Sequence, residues 1–187
     1  ETFLKENGIE PPGNLYQEIP DDLLFSRKSF FLLRPIDRTP MLLSEAAVCP
    51  LTKAALDRFP GNVKTVQRYR RAVLSGPELR LLEDCYDKNT RDCNVMCRDR
   101  STFGEVISFL SVVCKEVPRE VAVLRVWRVH SPPDRFGVAT LNKEYEASFV
   151  SVPFKFLLGR VATLQVKDKV RAVLIPRHVI NNLKKVQ

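Results

Sequence analysis

The residues able to do chemistry in this chain are few and widely spaced. His130 and His178 are its only imidazoles, and Cys49, Cys85, Cys93, Cys97 and Cys114 its only thiols, in 187 residues. Cys85, Cys93 and Cys97 with His130 are donors of the kind zinc prefers, and a C-x-x-x-C step can turn two sulfurs to one side. Structural zinc sites use two tight ligand pairs, however, and only one loose pair is present, so the sequence assigns no metal and no cofactor. An odd, irregular set of thiols also fits reduced cysteines better than a disulfide framework. The seven glycines form neither G-x-x-x-x-G-K nor G-x-G-x-x-G, and H-E-x-x-H and G-x-S-x-G are missing. The common phosphate-cradling, zinc-protease and serine-hydrolase motifs are thereby excluded.

A second constellation joins His130, Pro133-Asp134 and Glu144-Tyr145-Glu146. A carboxylate before a strand, another on the returning strand and a nearby histidine can hold a divalent ion that activates water. The pattern resembles the P-D…E-x-K arrangement of metal-dependent nucleases, which would make Asp134 and Glu144 metal ligands. Position 146 is Glu where that arrangement has Lys, so the cation that would stabilise the transition state is unassigned.

Basic residues are far more numerous. Residues 1–25 hold one Lys against six acids, a net −5, whereas residues 26–187 hold 29 basic against 16 acidic residues, a net +13. Between Lys155 and Lys185 eight basic residues face only Asp168. A field of that sign favours nucleic acid, an anionic lipid surface or an acidic protein partner. The candidate anion-binding residues are Lys64, Arg68, Arg71, Lys155, Arg160, Lys167, Lys169, Arg171, Arg177, Lys184 and Lys185. Each one that meets a phosphate releases counterions, and Trp127, Tyr145, Phe154 and Phe156 are candidates to stack on unpaired bases. Arg125 and Arg128 lie in the same region.

The elements that must position these residues are read from periodicity and turn chemistry. Residues 1–25 form an extended acidic arm, rich in Pro and Gly, whose Leu15, Tyr16 and Ile19 could dock into a partner or fold back on the basic body. Residues 26–187 form one domain. Phe30–Leu33 is a buried strand. A helical part, 42–117, begins at Ser44 and continues through Leu51, Ala55 and Phe59. It includes a helix after Asn62 on which Lys64, Arg68 and Arg71, at i, i+4 and i+7, make a basic stripe. Capping boxes at Ser75–Glu78 and Thr102–Glu105 open two more helices, the second carrying Phe103, Val106, Ile107, Leu110, Val113 and Cys114. Asp87–Arg100 is a loop.

A sheet part, 119–176, follows. Its first strand, Val121–Val129, is buried on both faces. Arg135–Leu141 returns, Asn142-Lys143 turns into Tyr145–Val152, and Arg160–Val166 faces Ala162, Leu164 and Val166 inward. Lys167–Lys169 then turns into Val170–Ile175. A closing helix spans 178–186. The fold class expected is α+β, with the helical half packed on one face of an antiparallel β-meander.

The function expected is that of a non-enzymatic basic binding and assembly protein on an anionic polymer, RNA or single-stranded nucleic acid first. The alternative is a self-assembling, matrix-type structural protein, a homo-oligomer binding acidic membrane and neighbouring subunits through its arm; a metal-dependent nuclease is third. With no apolar run of about 18 residues and no basic leader ahead of an apolar one, the location expected is intracellular, cytoplasmic or nuclear, with peripheral attachment to a membrane as a variant.

Overall fold

The computed structural model of the chain describes residues 30–74, 78–85 and 93–174. It is mostly β and is organised around a closed six-stranded antiparallel barrel. The expected α+β architecture is therefore wrong. Ten strands run in chain order: β1 (Phe30–Pro35), β2 (Met41–Leu42), β3 (Val63–Leu74), β4 (Glu78–Arg80), β5 (Asn94–Cys97), β6 (Phe103–Cys114), β7 (Val117–Ser131), β8 (Val138–Pro153), β9 (Leu157–Val166) and β10 (Lys169–Leu174). Helix α1 (Pro50–Asp57) and a single helical turn, Leu82–Cys85, are the α-helical segments among the described residues.

Strands β5 to β8 form a meander. The chain then crosses to pair β9 with β5, and β10 returns between β9 and β8 to close the ring. Strand β6 shares one edge between two partners. Its first half pairs with β5 and its second half with β3, so β1 to β4 extend the barrel wall as a flange. Closure removes exposed edges from most of the barrel, which is the physical advantage of the arrangement.

Three cores follow from this geometry. Met96, Phe103, Ala139, Leu141, Val161, Val170 and Ala172 fill the barrel. Leu56, Phe59, Val66, Leu110, Val121 and Val123 pack beneath α1. Leu79, Val95, Val106, Phe109, Ala122, Leu124 and Leu157 cover the outside of the wall. Val121, Ala122, Val123 and Leu124 are all buried, so the two-sided burial expected of Val121–Val129 holds over its first four residues, while Arg125–Trp127 and Val129 are half-buried and Arg128 is exposed.

The two long helices expected over 62–73 and 102–114 are β3 and β6. A bulge beside Lys64 puts Val63 and Val66 on one side, and another at Ile107 does the same for Val106 and Phe109. One extra residue turns a period of two into a local step of three, which imitates a helix face. Thr102 does not cap a helix: its backbone N–H and hydroxyl both donate to Asp99, which shapes the β5–β6 turn. Of the expected Asp87–Arg100 loop, residues 94–97 are β5. The helix expected after Glu78 is β4 followed by the one helical turn, and among the described residues a helix of two turns occurs only at Pro50–Asp57.

Two residues with left-handed backbone, Lys115 and Glu116, join Cys114 to its partner Val117 in a tight hairpin of the kind whose twist suits the strands. At Asn142-Lys143 the chain does not turn back. Strand β8 runs through, with its register to β7 shifting on either side of Tyr145. The closing helix expected at 178–186 and the arm lie outside the described residues.

Candidate anion-binding face

The sheet face that carries the basic residues is fixed by register. Inward positions on the last three barrel strands are Ala139 and Leu141 on β8, Val170 and Ala172 on β10, and Val161 on β9. The alternate residues consequently point outward in three cross-strand rows: Val138–Val173–Ala162, Thr140–Arg171–Leu164 and Asn142–Lys169–Val166. Basic side chains occupy the β10 column and apolar ones the β9 column. Lys167 stands at the β9–β10 turn with a left-handed backbone, φ 54°.

The expected parity of β9 is thus reversed. Ala162, Leu164 and Val166 face solvent, with Leu164 67% and Val166 43% exposed, while Thr163 and Gln165 take the inward parity. Closure of the barrel decides this: Val161, opposite Leu174, must enter the core, and every second residue follows it. Beside this face Phe136 projects from the β7–β8 hairpin, 71% exposed, under the Arg135 guanidinium.

Electrostatic pairing separates this face from the other basic strands. Lys169 Nζ donates to Asn142 Oδ1 at 2.7 Å, and Arg171 Nη1 donates to Thr140 Oγ1 at 2.8 Å. Both acceptors are neutral, so they orient the cations without cancelling their charge. Elsewhere arginines meet carboxylates: Arg68 with Asp37, Arg125 with Glu105, and Arg128 with Glu144 and Glu146. Asp134 is the acid that senses Arg171. Backbone N–H groups of Val138 and Phe136 hold its carboxyl below the usual range, with Arg171 adding to the effect.

The remaining expected residues divide clearly. Arg160 lies on β9 opposite Val95, outside this grid, and Lys155 sits in the 3-10 turn Phe154–Phe156, its ammonium 5.4 Å from the Phe156 ring. The stripe of Lys64, Arg68 and Arg71 dissolves, because on a strand Arg68 and Arg71 fall on opposite faces. Arg68 is locked by Asp37 at 2.7 and 3.0 Å and by the Ala47 carbonyl, and Arg71 lies in register with Arg80. Arg177, Lys184, Lys185, Leu15, Tyr16 and Ile19 lie outside the described residues. The stacking platform is not assembled: Phe154 is buried in the core, and Trp127 and Tyr145 pack on each other with centroids 4.3 Å apart.

Among the described residues no three His, Cys, Asp or Glu side chains converge as ligands, and the side chain of Cys85 lies outside them. Asp134 Oδ1 is occupied by its own turn, Glu144 pairs with Arg128, and burial pushes the Cys97 thiol up to about 12. Two further polar sites were not anticipated. One is an inward row, Asn94–Glu105–Arg125, crossing β5, β6 and β7, with the Arg125 guanidinium 3.9 Å above the Tyr145 ring. The other is a cleft of about 190 Å³ between α1 and β3, lined by Cys49, Thr52, Arg68, Tyr69 and Glu83. No protein family, curated protein or solved structure matches the chain.

Proposed function

We propose that the protein is a non-enzymatic binding module that lays a single-stranded anionic polymer, RNA first, across the outer face of β8, β9 and β10. The observation that carries this reading is the pairing of Lys169 and Arg171 with neutral oxygens while Arg68, Arg125 and Arg128 are matched to carboxylates. Successive outward residues on a strand stand about 6.7 Å apart, a spacing that suits successive phosphates of an extended strand. Leu164 and Val166 flank the cations and offer apolar contact to splayed bases. Recognition is mainly of the backbone, because Trp127, Tyr145 and Phe154 are committed to packing.

The test is fluorescence anisotropy of a labelled single-stranded RNA of mixed sequence with the full chain, run against flotation on acidic and neutral vesicles. RNA binding that weakens steeply with salt and fails on neutral vesicles supports the reading. Binding to acidic vesicles alone would replace it with the membrane-surface alternative, to which the exposed Leu164, Val166 and Phe136 beside cations lend a specific observation. No binding to either at about 50 mM salt removes both.

A further inference from the structure

Strand β9 is patterned against its surroundings. Its inward parity carries Thr163 and Gln165, and its outward parity carries Ala162, Leu164 and Val166. An exposed strand flank normally shows the opposite arrangement. The apolar column continues across the sheet to Val173, 38% exposed, and to Val138. Such a column beside Lys169 and Arg171, whose hydrogen-bond acceptors are neutral, fits a partner that is both apolar and acidic.

Within this chain one segment has that chemistry. Residues 15–25 read Leu15-Tyr16-Gln17-Glu18-Ile19-Pro20-Asp21-Asp22-Leu23-Leu24-Phe25, with six apolar side chains, three acids and no base. The other terminal segment, 175–187, carries Arg177, Lys184 and Lys185 and no acid, so Lys169 and Arg171 repel it. Reach allows it. Glu18, Asp21 and Asp22 stand 12, 9 and 8 residues before Phe30, where β1 begins, and at about 3.3 Å per residue they reach about 26–40 Å from it, about twice the radius of gyration of about 16 Å expected for a chain of this length.

We infer that the acidic arm, residues 1–25, docks in cis on the outer face of β8, β9 and β10, with its apolar residues on the Leu164 and Val166 column and its carboxylates toward Lys167, Lys169 and Arg171. The inference rests on reading this face as an anion-binding surface, and it makes the arm the native occupant that a polymer must displace. Tethering favours the same molecule over a neighbour, because a short link gives a local concentration in the millimolar range. An arm docked about four-fifths of the time weakens polymer binding about five-fold.

Carbodiimide coupling of carboxylates to amines in the full chain tests the docking without any polymer. An equimolar mixture of ¹⁴N- and ¹⁵N-labelled protein separates links within one molecule from links between two. Coupling of Glu18, Asp21 or Asp22 to Lys167 or Lys169 is expected, within one molecule, falling several-fold at high salt and in Leu164→Ser. That substitution lies on an exposed side chain and leaves the cores intact. Equal coupling to Lys53, Lys64 and Lys115, coupling between molecules, or a yield indifferent to Leu164→Ser would overturn the inference. In a full chain carrying Glu18→Gln, Asp21→Asn and Asp22→Asn, RNA should bind about five-fold more tightly, and unchanged RNA affinity would overturn displacement. Coupling to Lys167 and Lys169 in a protein that binds no RNA would retain the docked arm and discard the RNA reading alone.

Discussion

Replacing Asp37 with Ala should be among the most damaging single changes outside the apolar cores. The carboxylate side chain is 4% exposed and accepts from the backbone N–H, Nε and Nη2 of Arg68, itself 23% exposed, at 2.9, 3.0 and 2.7 Å. Removing one member of a buried pair costs about 3–5 kcal/mol. Arg68 keeps the Ala47 carbonyl at 2.6 Å and can rehydrate in part, which brings the expectation to about 3 kcal/mol. At about 2–4 °C per kcal/mol for a chain of this size, Tm should fall about 6–12 °C. Asp37→Asn keeps an acceptor for the Arg68 backbone N–H and should lose about half as much. The pair also predicts a pH signature. Arg68, through its side-chain hydrogen bonds first, holds the Asp37 carboxyl below its ordinary 3.8. A depressed folded value means that the stabilisation is complete above the unfolded value and is lost as pH falls through the folded one. The gap between wild type and Asp37→Asn in urea unfolding should therefore be constant above about pH 5 and close below about pH 4. A gap under about 0.5 kcal/mol at neutral pH, within the range of ordinary surface substitutions, would refute the reasoning, as would a gap that widens in acid.

Other consequences follow from packing. Gly104→Ala should destabilise by about 1–3 kcal/mol in chemical denaturation, because a Cβ there would stand 3.0 Å from Leu124 Cβ and 3.1 Å from the Arg125 carbonyl where β5, β6 and β7 meet. A loss below about 0.5 kcal/mol would place that seam elsewhere. In a thiol titration, Cys49, exposed at the start of α1, should react quickly, whereas buried Cys93, Cys97 and Cys114 should react only on unfolding. Equal rates in the native protein would contradict their burial. Phe109→Ala should cost about 3–5 kcal/mol, since its fully buried ring packs edge-on against Phe154 at 5.8 Å; a smaller loss in urea unfolding would count against the core between the flange and the barrel wall.

Strands β9 and β10 and the Lys167-Asp168 turn were legible because alternation and turn chemistry agree there, and β7 because its β-branched run is apolar on both faces. Strands β3 and β6 were not. Both are bulged, so Val63 with Val66 and Val106 with Phe109 reproduce helical spacing. The contrary signal was residue type: β6 carries Phe, Val and Ile where a helix would favour Ala, Glu and Lys. Even where β9 was placed correctly its facing was not, because parity in a barrel is set by which residue the closing partners draw inward. The candidate anion-binding residues were chosen by charge alone. Their sorting by carboxylate or neutral hydrogen-bond partner required Asp37, Asn142 and Thr140, whose positions only the register supplies.

The most direct measurement of the central claim is the salt dependence of RNA binding for the wild-type chain and for the Lys169→Ala/Arg171→Ala double variant. For single strands each phosphate contact contributes about −0.7 to the slope of log affinity against log salt. The variant should keep the wild-type Tm and bind more weakly, with a slope shallower by about 1.4. An unchanged slope, with Arg160→Ala or Lys64→Ala lowering it instead, would move the binding surface off β8, β9 and β10 and contradict the account.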